Sequence, residues 1–529
     1  MHRIMNNSLL SLDRVLHLAV FSYLILMVSC KPRVEVDVFI HGGLVLDGSE
    51  APAKRMDIGI TGERISYIGA PGSATIIAKE SIDINGLYLA PGFIDPHTHV
   101  DRELSEEATK SNTRYLKQGV TTVFAGNDGG SPMPIKRKLD DWERTGIGTN
   151  AALLVGHGSV RRVVMGMKGE EANEQELEEM KEVVAKAMKE GAFGISTGLF
   201  YAPGSFASMG EVVALSTVVA EHNGIYDTHM RDEGSYNIGL LNAVRETISI
   251  GEESGVDVHI SHIKCLGTDV WDESPEVIRI IEAARSKGIK VTANQYPYLA
   301  SRTTLKAALV PRWAEDGGYE EMLRRFDEPS LRDTLYNGIL ENLRKRGGPE
   351  SLIFSDARDQ ELIGQSLGEM ASKMNQDIPG TVMDILRKDG SIQVISYNMK
   401  ESDLDRFMQQ PWVMTGSDGG AGHPRQFGTF PRKIHEYVMN RKVIDLPMMV
   451  HRSSGLTAST FHVAERGFIK VGYYADLIAF DPKKVRDMAT FDAPYEEAEG
   501  MSFVWVNGRL AIDHGEYTGA LAGKALKHK

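Results

Sequence analysis

Cysteine and runs of basic residues are scarce in this chain. Only Cys30 and Cys265 occur among 529 residues, so at most one intrachain disulfide is possible. The net charge is −13, and no stretch combines basic with aromatic residues, which is unlike the charge pattern of proteins that bind nucleic acids. We therefore expect no nucleic acid as a partner. An acidic protein can still bind a small carboxylate through one or two well-placed cations.

Long apolar segments are also scarce, and the clearest one lies near the N-terminus. Residues 15–29 (VLHLAVFSYLILMVS) follow Arg3 and Arg14 and have the length of a signal peptide, too short to cross a bilayer comfortably. They lead into Cys30 through Met27-Val28-Ser29, which resembles the lipobox of bacterial lipoproteins. We predict a signal peptide over residues 1–30, lipidation of Cys30, and an exported cell-envelope protein (periplasmic or outer-membrane) that touches the membrane only through its lipid anchor. A simple membrane anchor is the alternative.

The two ends of the remaining chain share a β-strand pattern. Residues 34–68 alternate apolar and polar side chains between glycine-containing turns, and the pattern returns at 472–481 and 504–508. We predict that residues 31–90 and residues 466–529 form the two halves of one small β-sandwich, the second half including a C-terminal tail. The long middle of the chain is then inserted between them.

The middle, residues 91–465, alternates strand-like with helix-like segments. Amphipathic segments such as 174–190 separate strand candidates at 93–99, 120–126, 151–156, 192–197, 224–229, 256–262, 289–296 and 412–417. Eight strands with crossover helices predict an α/β fold, a (β/α)8 barrel, whose chemistry lies at the C-terminal ends of the strands. Residues 305–411 interrupt the alternation of strands and helices, and we predict that they form an inserted lid or side layer over the barrel mouth.

Polar residues capable of metal binding follow five of these strands. They are His97, His99, Asp128, His229, His262 and Asp418. An isolated His-x-His pair is more often two loop histidines than a metal site, but this many imidazoles and carboxylates at one end of a barrel favour a site for one or two Zn²⁺ ions. By strand alternation His259 should face away from His262 and pack against a helix. Asp232 and Glu233 either orient ligand histidines or cap the next helix.

The same segments carry a family resemblance. The phrases GFIDPHTHVDRE, GVTTVFAGND, YDTHMRDEG, HISHIK, NQYPYLASRTTL, WVMTGSDGG and HPRQFGTFPR, with others between about 35 and 510, are similar to those of the amidohydrolase superfamily. Within it they resemble the N-acyl-D-amino-acid deacylases (D-aminoacylases). The resemblance implies zinc-dependent hydrolysis of the amide of N-acyl-D-amino acids, small-molecule substrates, to a carboxylate and a free D-amino acid. D rather than L specificity depends wholly on this resemblance.

The resemblance also implies roles for individual residues. It assigns a tightly bound zinc to His229 and His262, a second and weaker metal site to His97 and His99, acid-base catalysis to Asp418, and binding of the substrate carboxylate to Lys264, Tyr296 and Arg231. His423 and Arg425, which follow Asp418 closely, are candidates for stabilising the oxyanion.

Two positions depart from the family pattern. Asp128 stands where these deacylases usually carry a zinc-binding cysteine; a carboxylate is a harder ligand than a thiolate and can bridge two ions. Arg302 stands where small hydroxyl residues are usual. It either binds an additional substrate carboxylate, which would indicate an acidic substrate, or is a solvated loop arginine.

Two alternatives remain open. A dipeptidase or cyclic-amide hydrolase would use the same barrel, but those relatives usually carry a carboxylated lysine on the fourth strand, and residues 192–198 contain no lysine. An envelope solute-binding lipoprotein on a disabled barrel would have no need of Asp418.

Overall fold

The computed structural model describes residues 31–528. The predicted signal peptide and Cys30 lie outside this range. No helix within it is both long and apolar enough to span a membrane.

Eight short parallel strands form the central barrel, and almost all of their residues are buried. They are Phe93–Asp95, Val120–Ala125, Asn150–Leu153 with its continuation Val155–Gly156, Gly194–Gly198, Ile225–His229, Asp257–Ile260, Val291–Gln295 and Val413–Thr415. Each strand pairs in parallel with the next. The third strand is interrupted at Leu154, so that Asn150–Leu153 pairs with the second strand and Val155–Gly156 pairs with the fourth. A parallel bridge between Thr98 and Gly419 joins the continuations of the first and eighth strands. The predicted eight strands are confirmed.

Helices connect the strands around the outside. They are Thr113–Leu116, Ile135–Thr145, His157–Val164, Glu174–Lys189, Met209–Glu221, Leu240–Ser254, Ser274–Ser286 and Glu401–Met408, followed by Arg425–Arg432, the π-helix Lys433–Asn440, Leu446–Ser453 and Gly455–Thr460. The helix predicted at 174–190 begins after Asn173, whose side chain accepts a hydrogen bond from the Glu176 backbone while Glu176 accepts one from Asn173. This capping box satisfies two amides that the helix itself cannot pair.

The insertion forms a separate layer with its own core. Its antiparallel strands are Ala300–Thr304, Leu352–Asp356 and, between them, Gln393–Tyr397. Its helices are Leu305–Leu309, Tyr319–Phe326, Arg332–Lys345, Leu367–Met374 and Ile378–Lys388. The layer spans 300–397 rather than 305–411, because its first strand was not recognised in the sequence and Phe407 already belongs to the barrel core.

Two sheets enclose a third core at the chain ends. The first contains Arg33–His41, Asp57–Thr61, Arg64–Gly69 and Thr75–Asp83. The second contains Leu44–Val45, Lys54–Arg55, Tyr88–Pro91, Leu477–Phe480, Met501–Val506, Arg509–Asp513 and Glu516–Tyr517. Leu477–Phe480 pairs antiparallel with Tyr88–Pro91, so residues from both ends of the chain share one sheet, as a sandwich built from both ends requires.

An apolar cluster fills the amino end of the barrel. Phe461 packs on Phe124 at 4.7 Å between ring centres, and Phe193 packs edge-on against Phe124 at 5.3 Å. The C-terminal tail runs across this end, where the Leu526 amide donates to the Ala151 carbonyl at 2.7 Å. The amino end is therefore closed, and the site lies at the other end.

Candidate metal centre and active site

The six residues predicted as ligands or as catalytic converge at the carboxyl end of the barrel. Three of them have left-handed backbone conformations, with φ of 53° at Asp128, 34° at His262 and 48° at Asp418. Non-glycine residues rarely adopt such values, and they cluster at functional sites. Asp128, His262 and Asp418 each lie just after a strand, in a turn that brings the side chain into the shared cluster.

Asp128 lies at the centre of the cluster. Its Oδ1 atom is 3.5 Å from Nε2 of His97, 3.5 Å from Nε2 of His262 and 3.8 Å from Nδ1 of His229. Its Oδ2 atom is 3.6 Å from Nε2 of His99. Asp128 thereby belongs to two candidate metal groups, one with His97, His99 and Asp418 and one with His229 and His262. A carboxylate in this position can bridge two cations.

The donor atoms of the cluster fit a bound cation. Both ring nitrogens of His97 and Oδ1 of Asp128 are buried without a hydrogen-bond partner among residues 31–528. Such atoms normally cost free energy because they have lost water and gained nothing in return. Nδ1 of His229 also faces Nε2 of His262 at 2.9 Å. Imidazole nitrogens and carboxylate oxygens together suit a divalent transition-type cation that accepts both.

Glu233 orients one of these histidines. Its Oε1 atom accepts a hydrogen bond from Lys264 Nζ at 2.7 Å and lies 2.9 Å from Nδ1 of His262, the nitrogen turned away from Asp128. Burial alone would raise the pKa of Glu233, but Lys264 and the two nearby histidines lower it well below its usual value. Burial and Lys264 lower the pKa of His262, whereas Glu233 and Asp128 outweigh them and raise it to about 9. A carboxylate behind a ligand histidine fixes the ring for metal binding.

Asp232, the neighbour of Glu233, does not cap the next helix, whose N-cap residue is Gly239. The Asp232 carboxylate accepts hydrogen bonds from the backbone amides of Gly234, Asn237 and Gly239, just before the helix Leu240–Ser254. It therefore shapes the loop that leads into this helix.

Asp418 lies between the cluster and a buried arginine. Its Oδ1 atom is 3.2 Å from Nε2 of His99, and its Oδ2 atom is 2.8 Å from Arg425. Burial alone would raise the pKa of Asp418, but Arg425 and His262 lower it well below its usual value. Asp418 is therefore an ionised carboxylate, able to accept a proton at the edge of the metal cluster.

A cavity of about 210 Å³ opens beside the cluster. It is lined by His99, Asp128, Phe200, Tyr201, His229, Glu233, Lys264, Leu266, Tyr296, Ser301, Arg302, Thr303, Thr304, Arg346, Gln393, Asp418 and Arg425. The predicted substrate-binding residues Lys264, Tyr296 and Arg302 are among them. Burial raises the pKa of Tyr296 well above its usual value, and its hydroxyl has no hydrogen-bond partner within the described range, 31–528. Tyr296 therefore presents an unused hydrogen-bond donor.

Arg231 does not line this cavity, although we predicted that it binds the substrate carboxylate. Its Nε atom donates to both oxygens of Glu246 at 3.0 Å, and its terminal nitrogen NH2 donates to the Ala207 carbonyl at 3.0 Å. The strand ends at His229, so alternation no longer directs residue 231 toward the barrel axis. The guanidinium is occupied in holding helix and loop together.

His259 also lies elsewhere than predicted. It is inside the barrel, with Nδ1 2.8 Å from Thr292 Oγ1 and Nε2 2.9 Å from the side-chain amide of Asn294, and its ring packs on Phe461. The prediction that it packs against a helix is wrong, because the strand ends at Ile260 and His262 lies in a turn, where alternation does not apply.

Other cavity residues were missed or only suggested by the sequence. Phe200 and Tyr201 follow the fourth strand, and their position at a strand end could have indicated them. Arg425 was suggested only by its nearness to Asp418. Arg346 comes from the insertion, and no local pattern could predict which side of that layer faces the barrel.

Comparison with known proteins agrees with this geometry. Residues 80–260 match the sequence profile of the Amidohydrolase family. The chain is 34% identical to a D-aminoacylase of Alcaligenes xylosoxydans xylosoxydans over 93% of this chain and 97% of the relative. It is 33% identical to an N-acyl-D-aspartate deacylase of the same organism, over 92% of this chain and 94% of the relative.

A solved structure matches the whole architecture. An N-acyl-D-glutamate deacylase from Bordetella bronchiseptica, complexed with zinc and a phosphonate inhibitor that mimics the tetrahedral intermediate, superposes with a TM-score of 0.79. The match covers 93% of this chain and all of the other, at 29% identity. With the barrel, the sandwich and the ligand cluster in place, the chain belongs to the D-aminoacylase family of the amidohydrolase superfamily.

Proposed function

We propose that this protein hydrolyses the amide bond of N-acyl-D-amino acids, releasing a carboxylate and a free D-amino acid. The observation that carries the proposal is the position of Asp418. The proton-accepting carboxylate of Asp418 lies beside the cluster of unpartnered ligand atoms. Both lie at one edge of a cavity that is also lined by Lys264 and Tyr296. Family membership supports the choice of substrate.

We propose zinc as the cofactor, as one ion or two, which His97, His99, Asp128, His229 and His262 would hold. The mixed nitrogen and oxygen donors support this choice, as does zinc in the related glutamate deacylase. When bound, zinc makes a water molecule more acidic and polarises the acyl carbonyl.

The residues around the cavity supply the remaining steps. Asp418 accepts the proton of the attacking water and then donates it to the amide nitrogen, which leaves as an amine. Arg425 keeps Asp418 ionised and in position through their 2.8 Å contact. Lys264 and the free hydroxyl of Tyr296 hold the α-carboxylate, so that the scissile amide lies beside the cluster.

The alternative hydrolases of this superfamily are less well supported. The fourth barrel strand, Gly194–Gly198, has the sequence GISTG and offers no lysine to carry a bridging carboxylate. In this chain Asp128 instead occupies the point common to both candidate metal groups.

The test is release of free amino acid from matched N-acetyl-D- and N-acetyl-L-amino acids, with dipeptides and hydantoins alongside. We expect turnover confined to the N-acetyl-D compounds by zinc-loaded protein starting at residue 31. Turnover only of L compounds, dipeptides or hydantoins would reject the proposed substrate while keeping a metal-dependent hydrolase. Absence of turnover with metal bound would favour a solute-binding protein.

We also propose export of the protein to the cell envelope and lipidation of Cys30, supported by the apolar residues 15–29 and the lipobox-like residues 27–30. Metabolic labelling with radioactive palmitate in a bacterial host tests this. The expected result is label in the wild type and none in Cys30→Ser. Equal labelling of both would reject lipidation at Cys30.

A further inference from the structure

The charges along the cavity wall do not cancel. Lys264 lies 2.7 Å from Glu233, and Arg425 lies 2.8 Å from Asp418, so each of these cations has a buried carboxylate partner. Among residues 31–528, Arg302 has no such partner. The carboxylate within ion-pair distance of it in this range is that of Asp356, at 3.5 Å, whose side chain is 50% exposed.

Arg302 is nevertheless largely withdrawn from water. It extends from the edge strand Ala300–Thr304, and its side chain is 14% exposed. Its Nε atom is buried and has no hydrogen-bond partner in the part of the chain that the structure describes. Burial and the nearby Arg425 lower the pKa of Arg302 to about 10. A cation in this position is costly unless an anion joins it, and a half-exposed aspartate is a weak partner.

The guanidinium lies beside the loop that carries Asp418. A Cβ atom placed on Gly420 would be 2.7 Å from the NH1 nitrogen of Arg302, so the guanidinium packs directly against the backbone at that position. A group bound by Arg302 would therefore lie close to Asp418. Arginine presents two parallel N–H donors, which match the two oxygens of a carboxylate.

We propose that Arg302 binds a second carboxylate of the substrate, in addition to the α-carboxylate held by Lys264 and Tyr296. The substrate class is then an N-acyl-D-amino acid with an added negative charge. That charge comes either from an acidic side chain, as in D-aspartate and D-glutamate, or from a dicarboxylic acyl group. This inference rests on the proposed function and narrows it.

Arg346 is the other candidate on the cavity wall, and its contacts argue against it. Its NH1 nitrogen donates to Ser396 Oγ at 3.1 Å and its Nε atom to the Ala308 carbonyl at 3.3 Å. Its guanidinium also lies 5.5 Å from the ring centre of Tyr236. These contacts fix Arg346 as a support of the insertion, whereas the Nε donor of Arg302 is free.

The test compares substrates that differ by one charge at constant shape. We would measure kcat/KM of the zinc-loaded protein for N-acetyl-D-glutamate and N-acetyl-D-glutamine, and for N-succinyl-D-leucine and its terminal amide, N-succinamoyl-D-leucine. In wild type, one of the two charged compounds should exceed its neutral partner by about 100-fold, since a buried donor pair left unmatched penalises the neutral analogue. The first pair reports on the side chain and the second on the acyl group.

Variants then identify the residue. In Arg302→Gln the kcat/KM for the charged substrate should come within about threefold of the kcat/KM for its neutral partner. A threefold preference corresponds to less free energy than one ordinary hydrogen bond contributes. Arg302→Lys should keep part of the preference for the charged substrate, because the positive charge remains but the two parallel N–H donors of the guanidinium are lost. Arg346→Gln is the matched control and should keep the wild-type ratio.

Each contrary outcome is decisive. Wild-type ratios near unity for both pairs, with neutral D-substrates hydrolysed, would overturn this inference and leave the proposed function standing. Loss of the ratio in Arg346→Gln but not in Arg302→Gln would also overturn it, as would an equal fall for charged and neutral substrates in Arg302→Gln. If no D-substrate is hydrolysed, the proposed function fails and the inference fails with it.

Discussion

The two ends of the barrel interior differ in how their buried polar atoms are satisfied. Toward the amino end, His259 has both ring nitrogens paired, to Thr292 and Asn294, and packs on the apolar Phe461. At the carboxyl end, His97 is equally buried, yet neither of its ring nitrogens has a hydrogen-bond partner among the residues that the structure describes. Two histidines in one barrel thus have opposite hydrogen-bonding states.

This difference indicates that one end of the barrel interior serves stability and the other serves function. A paired polar group inside the barrel contributes to a unique fold, whereas an unpaired one raises the free energy of the folded chain unless something binds to it. The left-handed backbones of Asp128, His262 and Asp418 occur at the same carboxyl end. We infer that the amino end holds the barrel together and that the carboxyl end keeps its unpaired groups for metal and substrate.

The largest expected effect of a single change is on catalysis at the carboxyl end. Replacing Asp418 with Asn removes the proton acceptor while keeping its shape, and should lower kcat/KM for the N-acyl-D substrate by about 10³-fold. Steady-state kinetics on zinc-loaded protein measures this. The matched control is Asp403→Asn, since Asp403 is equally buried but bonds to Ser274 on the outer helices. Comparable activity loss in both variants would contradict a catalytic role specific to Asp418.

The amino end should respond in stability instead. Phe461→Ala removes a ring fully enclosed by the apolar cluster and should lower the free energy of unfolding by about 3–5 kcal/mol. Urea unfolding followed by circular dichroism measures this, and the zinc content of the folded fraction should stay at the wild-type level. Loss of zinc without loss of stability would contradict the inference that the amino end stabilises the barrel and the carboxyl end binds the metal.

Lys433 is a buried polar group outside both ends, and it tests whether poor pairing alone indicates function. Its Nζ atom donates to Thr415 Oγ1 at 2.9 Å, and burial together with Arg452 lowers its pKa to about 7. Lys433→Met should stabilise the protein at neutral pH by roughly 1–4 kcal/mol, because it replaces a poorly compensated buried charge.

The pH dependence of that gain has a definite sign. Since the folded pKa of Lys433 lies below the unfolded value, the unfolded chain holds the extra proton between pH 7 and about 10. Wild-type stability from this group therefore rises with pH across that window. The advantage of Lys433→Met should be largest at pH 7 and below, and should shrink toward pH 10. Urea unfolding at several pH values would contradict this if the advantage were constant or grew.

The smallest expected effect concerns the residue behind a ligand. Glu233→Gln keeps the side-chain shape but removes the charge that lies against His262, and should weaken zinc affinity by about 10–100-fold. Competition with a chromogenic chelator measures this affinity. Glu211→Gln is a suitable control, because Glu211 pairs with His157, which belongs to neither metal group. Unchanged zinc affinity in Glu233→Gln would remove Glu233 from the metal site.

Much of the fold and site was predictable because both depend on local patterns. The eight strands follow from apolar runs separated by amphipathic helices, and polar residues at strand ends in a barrel must meet. Alternation failed at His259, since it ends with the strand and the turns beyond follow other backbone angles. The role expected of Arg231 came from the family resemblance, and its guanidinium instead bonds Glu246 and the Ala207 carbonyl. The first strand of the insertion and the position of Arg346 depend on tertiary packing, which a short sequence pattern does not contain.

The most direct test of the account is a zinc titration of protein stripped by a chelator, with hydrolysis of an N-acetyl-D-amino acid followed at each addition. We predict no hydrolysis in the stripped protein and recovery as zinc binds, with His262→Ala failing to recover and His157→Ala recovering. Full hydrolysis by stripped protein, or equal recovery in His262→Ala, would contradict the claim that the unpaired groups at the carboxyl end of the barrel form the catalytic metal centre.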